Sequence, residues 1–170
     1  MLFHVDGKGK EQLNELVKEY QISSVVDIQG YIPRTEIVNV MHLSSILLVL
    51  TTRSTENGTH GIMGTKFFEN MGVEKPILCV RSDEECLAQV ISETQAGLAA
   101  TEVEQVKAFV TEKYQEWKKN GFTRQTAKNK ELFTRQRQAE QFVEMFEAVT
   151  MISSTSRTSS TSTTSPTITQ

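Results

Sequence analysis

Apolar residues fall along this chain in short runs that alternate with stretches of helical spacing. Leu2-Phe3-His4-Val5 ends at Asp6-Gly7-Lys8-Gly9, and Leu13, Leu16, Val17 and Tyr20 then recur on one helical face. Val25-Val26-Asp27-Ile28 stops at Gly30, and Pro33 marks a helix start with Ile37, Val40 and Met41 on one face. Ile46 to Leu50 is an uninterrupted aliphatic run, which predicts a strand buried on both faces. A polar loop from Thr51 to His60 leads to a helical stretch through Lys66-Phe67-Phe68-Glu69-Asn70-Met71. Pro76 to Val80 gives a fourth strand, Glu85 to Thr94 a helix carrying Leu87, Val90 and Ile91, and Gly97-Leu98-Ala99 a short fifth strand. Parallel neighbours need crossovers, so this alternation predicts a doubly wound α/β domain, a parallel sheet with helices on both faces.

From Thr101 the pattern changes. Val103, Val106, Phe109, Val110, Tyr114 and Trp117 form one helical stripe that Asn120-Gly121 ends, and a second helical segment runs from about Ala127 to Ala148. Its expected inward face is Leu132, Ala139, Phe142, Val143 and Phe146. Fourteen of the last 20 residues are Ser or Thr, too few apolar groups to offset ordering entropy. The expected organisation is an α/β domain over 1–150 with two closing helices, followed by a disordered Ser/Thr-rich tail over 151–170.

A length of 170 residues excludes a multidomain enzyme, and 18 Lys plus Arg against 21 Asp plus Glu give a net charge of -3. That balance supplies no attraction to nucleic acid or to anionic lipid. Cys79 and Cys86 are too few for a disulfide framework and read as reduced, buried thiols. With no apolar segment near the roughly 20 residues of a membrane span, a cytoplasmic setting is expected, with the inner face of a membrane as a variant of it.

Open α/β sheets bind ligands beyond the C-terminal ends of their strands. In this chain the segment after the third strand is the most informative. It holds Gly58, Gly61 and Gly64, then Thr65 and Lys66 where a helix begins, so that backbone N–H groups and a cation converge on an anion such as a phosphate. Glu69, three residues on, shares the Lys66 face and can accept from a pair of sugar hydroxyls. Glycines in a polar loop equally satisfy turn geometry, and Lys66 with Glu69 equally reads as a solvated pair. Asp6-Gly7-Lys8-Gly9 lacks the third glycine of a dinucleotide fingerprint and reads as a plain turn. His4, His42 and His60 have no ligand-spaced partners, so neither a metal nor another cofactor is expected; His60 alone lies in the candidate crevice.

Four blocks carry a resemblance: Val5 to Leu13, Val26-Asp-Ile-Gln-Gly-Tyr-Ile-Pro-Arg34, Ile46 to Leu50, and Gly64-Thr-Lys-Phe-Phe-Glu-Asn-Met-Gly-Val-Glu-Lys-Pro-Ile-Leu78. In this order they resemble the C-terminal, donor-binding half of GT-B glycosyltransferases, particularly the retaining group 1 enzymes, over about residues 2 to 148. The resemblance implies a nucleotide diphosphate sugar as donor. It assigns the ribose hydroxyls to Glu69, the diphosphate to Gly64, Thr65 and Lys66, and the base to Tyr31 and Ile32 through their backbone, with Gly7 and Gly9 near the cleft. A second family glutamate, eight residues before the ribose glutamate, is Gly61 here. The resemblance also implies that the preceding strand-helix unit and an N-terminal acceptor domain lie on a missing segment or a partner chain. No catalytic base or nucleophile is identified. The alternatives are a non-catalytic nucleotide- or partner-binding half-domain and, on the same architecture, a sugar-nucleotide epimerase. Apolar surface left uncovered by a lost partner predicts a homodimer.

Overall fold

The computed structural model describes residues 2–4, 8–51, 63–80 and 85–157. The chain forms two compact units, Met1–Thr126 and Ala127–Gln170. The first is a parallel α/β structure of five strands: β1 (Leu2–His4), β2 (Asp27–Gln29), β3 (Leu47–Leu50), β4 (Ile77–Val80) and β5 (Gly97–Ala100). Helices α1 (Lys8–Glu19), α2 (Arg34–Leu43), α3 (Thr65–Gly72), α4 (Glu85–Thr94) and α5 (Val103–Asn120) alternate with them. The α/β alternation expected from sequence is present, in two parallel sheets, one pairing β1 with β2 and one in the order β3-β4-β5.

The core lies around the second sheet. Ile77, Leu78 and Cys79 are buried on the central strand β4, as its continuous apolar run requires. Phe67 and Met71 of α3, Leu87 and Ile91 of α4, Ala96 before β5 and Ala100 at its end belong to it as well. Cys86, by contrast with the expected burial of both thiols, is exposed on α4. In the β1–α1–β2–α2 region Val17 is the buried apolar side chain among the residues whose burial is described, and α2 contributes none.

Three helices turn into the next strand through a left-handed residue that is not glycine: Gln21, Glu74 and Gln95, with φ of 52°, 56° and 53°. After α1 and α4 the turn closes by a bond back five residues, from Ile22 N to Val17 O and from Ala96 N to Ile91 O. Helix α5 starts on a capping box in which Glu102 and Gln105 bond each other's backbone N–H, and it stops at Gly121 with φ 76°, the terminator expected from Asn120-Gly121.

Residues 123–125, just past α5, lace together the N-terminal ends of all three strands of the second sheet. Thr123 Oγ1 donates to Ser45 O at 2.5 Å, and Lys75 Nζ donates to Thr123 O at 3.3 Å. Gln125 N donates to Glu74 O at 3.0 Å, and its Nε2 to Gln95 O at 2.5 Å. Arg124 grips the Glu74 carboxylate from Nε at 3.0 Å and from Nη2 at 2.6 Å. The lower edge of the sheet is thereby closed by the chain itself.

The face that α5 buries differs from the expected stripe. Val103, Tyr114 and Trp117 are exposed, and the residue it buries is Lys113, 7% accessible. Its ammonium lies 3.0 Å from Glu112, 3.1 Å from Glu116 and over the Phe109 ring. Burial pulls the Lys113 pKa down, but the two carboxylates outweigh it and leave it above the ordinary lysine range. Burial also pushes the Glu116 carboxyl up; the Arg124 backbone N–H and Lys113 together hold it below its ordinary value of 4.5. A carboxylate depressed on folding adds stability that is complete above its unfolded value and lost as pH falls through the folded one. Glu116→Gln should therefore flatten the acid limb of stability below about pH 4.5 and lower the midpoint at neutral pH, as read by urea unfolding across pH 3–7. An acid limb identical to that of the parent chain would refute this.

The second unit has a 3-10 turn at Lys130–Phe133 and α6 (Arg135–Arg157) in place of one helix over 127–148. The residues expected on its inward face, Leu132, Ala139, Phe142, Val143 and Phe146, are exposed. Among the described residues this unit offers only the short 3-10 turn for α6 to pack against, too little to bury a helix of 23 residues. α6 also crosses the boundary expected at residue 150; the Ser/Thr-rich stretch 158–170 lies outside the described residues.

Candidate functional site

With the strap at the N-terminal ends of β3, β4 and β5, the opposite edge is where chain segments leave the strands. There Thr51 Oγ1, directly after β3, donates to Val80 O at the end of β4 at 3.5 Å. Helix α3 enters from that side, because a crossover helix runs back against the strand it follows.

Eight residues, TKFFENMG, divide α3 into two faces. Phe67, Asn70 and Met71 are buried, which fixes the helix by its inner stripe. Lys66 and Glu69, spaced i and i+3, are both exposed on the outer stripe. Among the described residues neither has a hydrogen-bond or ion-pair partner, so both head groups are available to a ligand. Gly64 is the N-cap in extended backbone, φ -66° and ψ 143°, with no side-chain cap on the first turn; its carbonyl accepts from Phe67 N at 3.1 Å. Open space surrounds the point where a Gly64 β-carbon would sit. The first turn therefore offers backbone N–H groups beside the Lys66 ammonium, a donor set suited to an anion.

The other candidate residues divide. Tyr31 and Ile32 follow β2 and precede the Pro33 N-cap of α2. Tyr31 is 76% exposed and Ile32 half-buried. They stand at the C-terminal end of a strand of the other sheet, and no hydrogen bond among the described residues joins them to α3. Gly9 lies inside the first turn of α1 and not in a turn before it, because the helix begins at Lys8. Gly7, Gly58, His60 and Gly61 lie outside the described residues. Thr51 is the crevice residue that periodicity could not single out: its role depends on Val80, 29 positions away. Among the described residues no cluster of His, Cys, Asp or Glu could hold a metal ion, and no helix is long and apolar enough to cross a membrane.

The family model described as glycosyl transferases group 1 matches residues 2–147. No curated protein and no solved structure matches the chain.

Proposed function

We propose that this chain, which belongs to the group 1 glycosyltransferase family, is the donor-binding half of a retaining GT-B enzyme that takes a sugar from a nucleotide diphosphate sugar when paired with an acceptor domain. The observation that supports this most is the outer face of α3, where Lys66 and Glu69 have no partner among the described residues and lie beside a helix N-terminus without a side-chain cap. Glu69 accepts the two ribose hydroxyls, as a carboxylate suits a vicinal diol. Lys66 and the N–H groups of Gly64, Thr65 and the following turn take the diphosphate. When the bond to the sugar breaks, charge grows on that diphosphate, and the same preorganised donors stabilise it. The base lies along Tyr31 and Ile32. The acceptor and the group that activates it belong to the partner domain, and the assembly works in the cytoplasm, at the inner face of the membrane if the acceptor is lipid-linked.

Calorimetric titration with UDP, GDP and ADP tests this reading. One of the three should bind, and Glu69→Ala should weaken it by roughly 10- to 150-fold, the equivalent of about 1.5–3 kcal/mol for hydrogen bonds to a charged group. Thermal unfolding should be unchanged, because Glu69 is exposed and without a partner among the described residues. Absence of binding by all three nucleotides, or equal affinity in the variant, would overturn the assignment.

A further inference from the structure

Helix α6 gathers its mid-helix charges on one face and leaves the other without any. By helical geometry Arg137, Glu140, Glu144 and Glu147 fall within one quadrant of the helix. There Arg137 Nη1 lies 3.3 Å from Glu140 and 3.0 Å from Glu144, and Gln136 Nε2 donates to Glu140 at 3.1 Å. On the opposite side Phe142, Met145, Val149 and Ile152 recur at alternating spacings of three and four, the seam of a coiled coil, with Phe146 beside them. These five side chains are 55% to 71% exposed. The flanking positions Gln138, Ala139, Gln141 and Ala148 are exposed and uncharged as well.

The chemistry of the two faces selects the occupant of this stripe. A helix that lies on anionic lipid is rich in Lys and Arg on its polar face, whereas this polar face holds three carboxylates against one guanidinium, which headgroup phosphates repel. A helix that accepts a foreign partner and rejects itself does so with like charges beside its seam, and from residue 138 to residue 152 that side has none. Nothing therefore keeps two copies apart. The exposed area of the five apolar side chains is roughly 600 Å² per copy, near the ~800 Å² per partner that stable interfaces bury, so a second α6 is sufficient cover.

Arg135 sets the orientation. It stands seven residues before Phe142 and so on the same seam, where parallel helices would bring it against its own copy. With the helices antiparallel about residue 147, Phe142 meets Ile152, Met145 meets Val149, and Arg135 falls beyond Arg157, the end of the partner helix. From this we infer that the chain forms a two-fold homodimer through an antiparallel pair of α6 helices. The homodimer expected from sequence rested on surface bared by a lost partner domain; this contact is a different one, built into α6 and independent of that domain. The nucleotide reading plays no part in its test.

That test is sedimentation equilibrium of the whole chain over about a hundredfold range of concentration, in which the mass should pass from one copy to two. Phe142→Glu puts two carboxylates into the seam and should raise the dimer dissociation constant by about tenfold or more, whereas Glu147→Lys, on the charged face, should leave it unchanged. Both residues are exposed, so the near-ultraviolet spectrum of the α/β unit should be that of the parent in either variant. Orientation is read by oxidising Cys86→Ser chains that also carry Phe142→Cys or Ile152→Cys: the mixture should cross-link between the two positions, and neither chain should cross-link alone. A monomer at every concentration would overturn the inference, and its flotation with phosphatidylglycerol vesicles would then make lipid the occupant of the stripe. A dimer that survives Phe142→Glu would overturn it too, as would a cross-link in the Phe142→Cys chain alone, the mark of parallel helices.

Discussion

Gly97→Ala is expected to lose about 3–5 kcal/mol of folding stability, a large part of the ~5–15 kcal/mol available to a domain, and with it most of the soluble yield. An alanine β-carbon at this position would overlap the backbone carbonyl and nitrogen of Ile77, the residue paired with Gly97 in the parallel register of β4 and β5. A flexible side chain could swing aside, but this neighbour is main chain. It is held on both flanks, since Ile77 N donates to Ala96 O at 3.1 Å and Ile77 also pairs with Leu47 of β3. Relief therefore means prising β5 from the central strand, with loss of ladder bonds and of the burial of Ala96 and Ala100. Urea unfolding followed by circular dichroism reads the effect directly; a midpoint equal to that of the parent would show that the strands can part cheaply. Gly64→Ala is the matched control, because a β-carbon there meets nothing within 4 Å.

The second large effect links the core to the candidate site. Phe67 is 1% exposed and packs edge-to-face on Phe68, ring centroids 5.3 Å apart. Phe67→Ala should cost about 3–5 kcal/mol, through lost transfer energy and the cavity left behind. Because α3 is anchored by the stripe of Phe67, Asn70 and Met71, loosening it also releases Lys66 and Glu69 from their shared orientation. Nucleotide affinity per folded molecule should fall in Phe67→Ala although the residue touches no ligand, and Phe67→Leu should restore most of both properties. Full affinity in a destabilised Phe67→Ala chain would separate the anchor from the site.

What could be read from the sequence follows a physical division. Local signals served well. The run from Pro76 to Val80 marks β4, Asn120-Gly121 ends α5, and the spacing of Lys66 and Glu69 puts both on one face of α3, which is exposed. Properties set by distant neighbours were not legible. The spacing of Val103 to Trp117 points that stripe inward, yet Lys113 is the residue buried, because Glu112 and Glu116 neutralise it and Phe109 covers it. Ile46 to Leu50 reads as a strand covered on both faces, yet Leu48 and Leu50, two residues apart and so on one face, are exposed, because a run's apolar character does not say which of its faces another element covers. Tyr31 and Ile32, expected along the base, follow β2 of the other sheet, and no periodicity in a single segment says how two sheets meet.

The strap of residues 123–125 also sets a timetable. Thr123 lies 78 positions after Ser45, whose carbonyl it binds. At ribosomal rates of about 5–20 residues per second, the aliphatic strand β3 leaves the ribosome roughly 4–16 s before the segment that ties down its base exists. Through that interval the nascent chain carries a wholly aliphatic stretch without its own fastening. Translation speed over codons 50 to 125 then bears on how much of the chain escapes aggregation, alongside the stability of the finished fold.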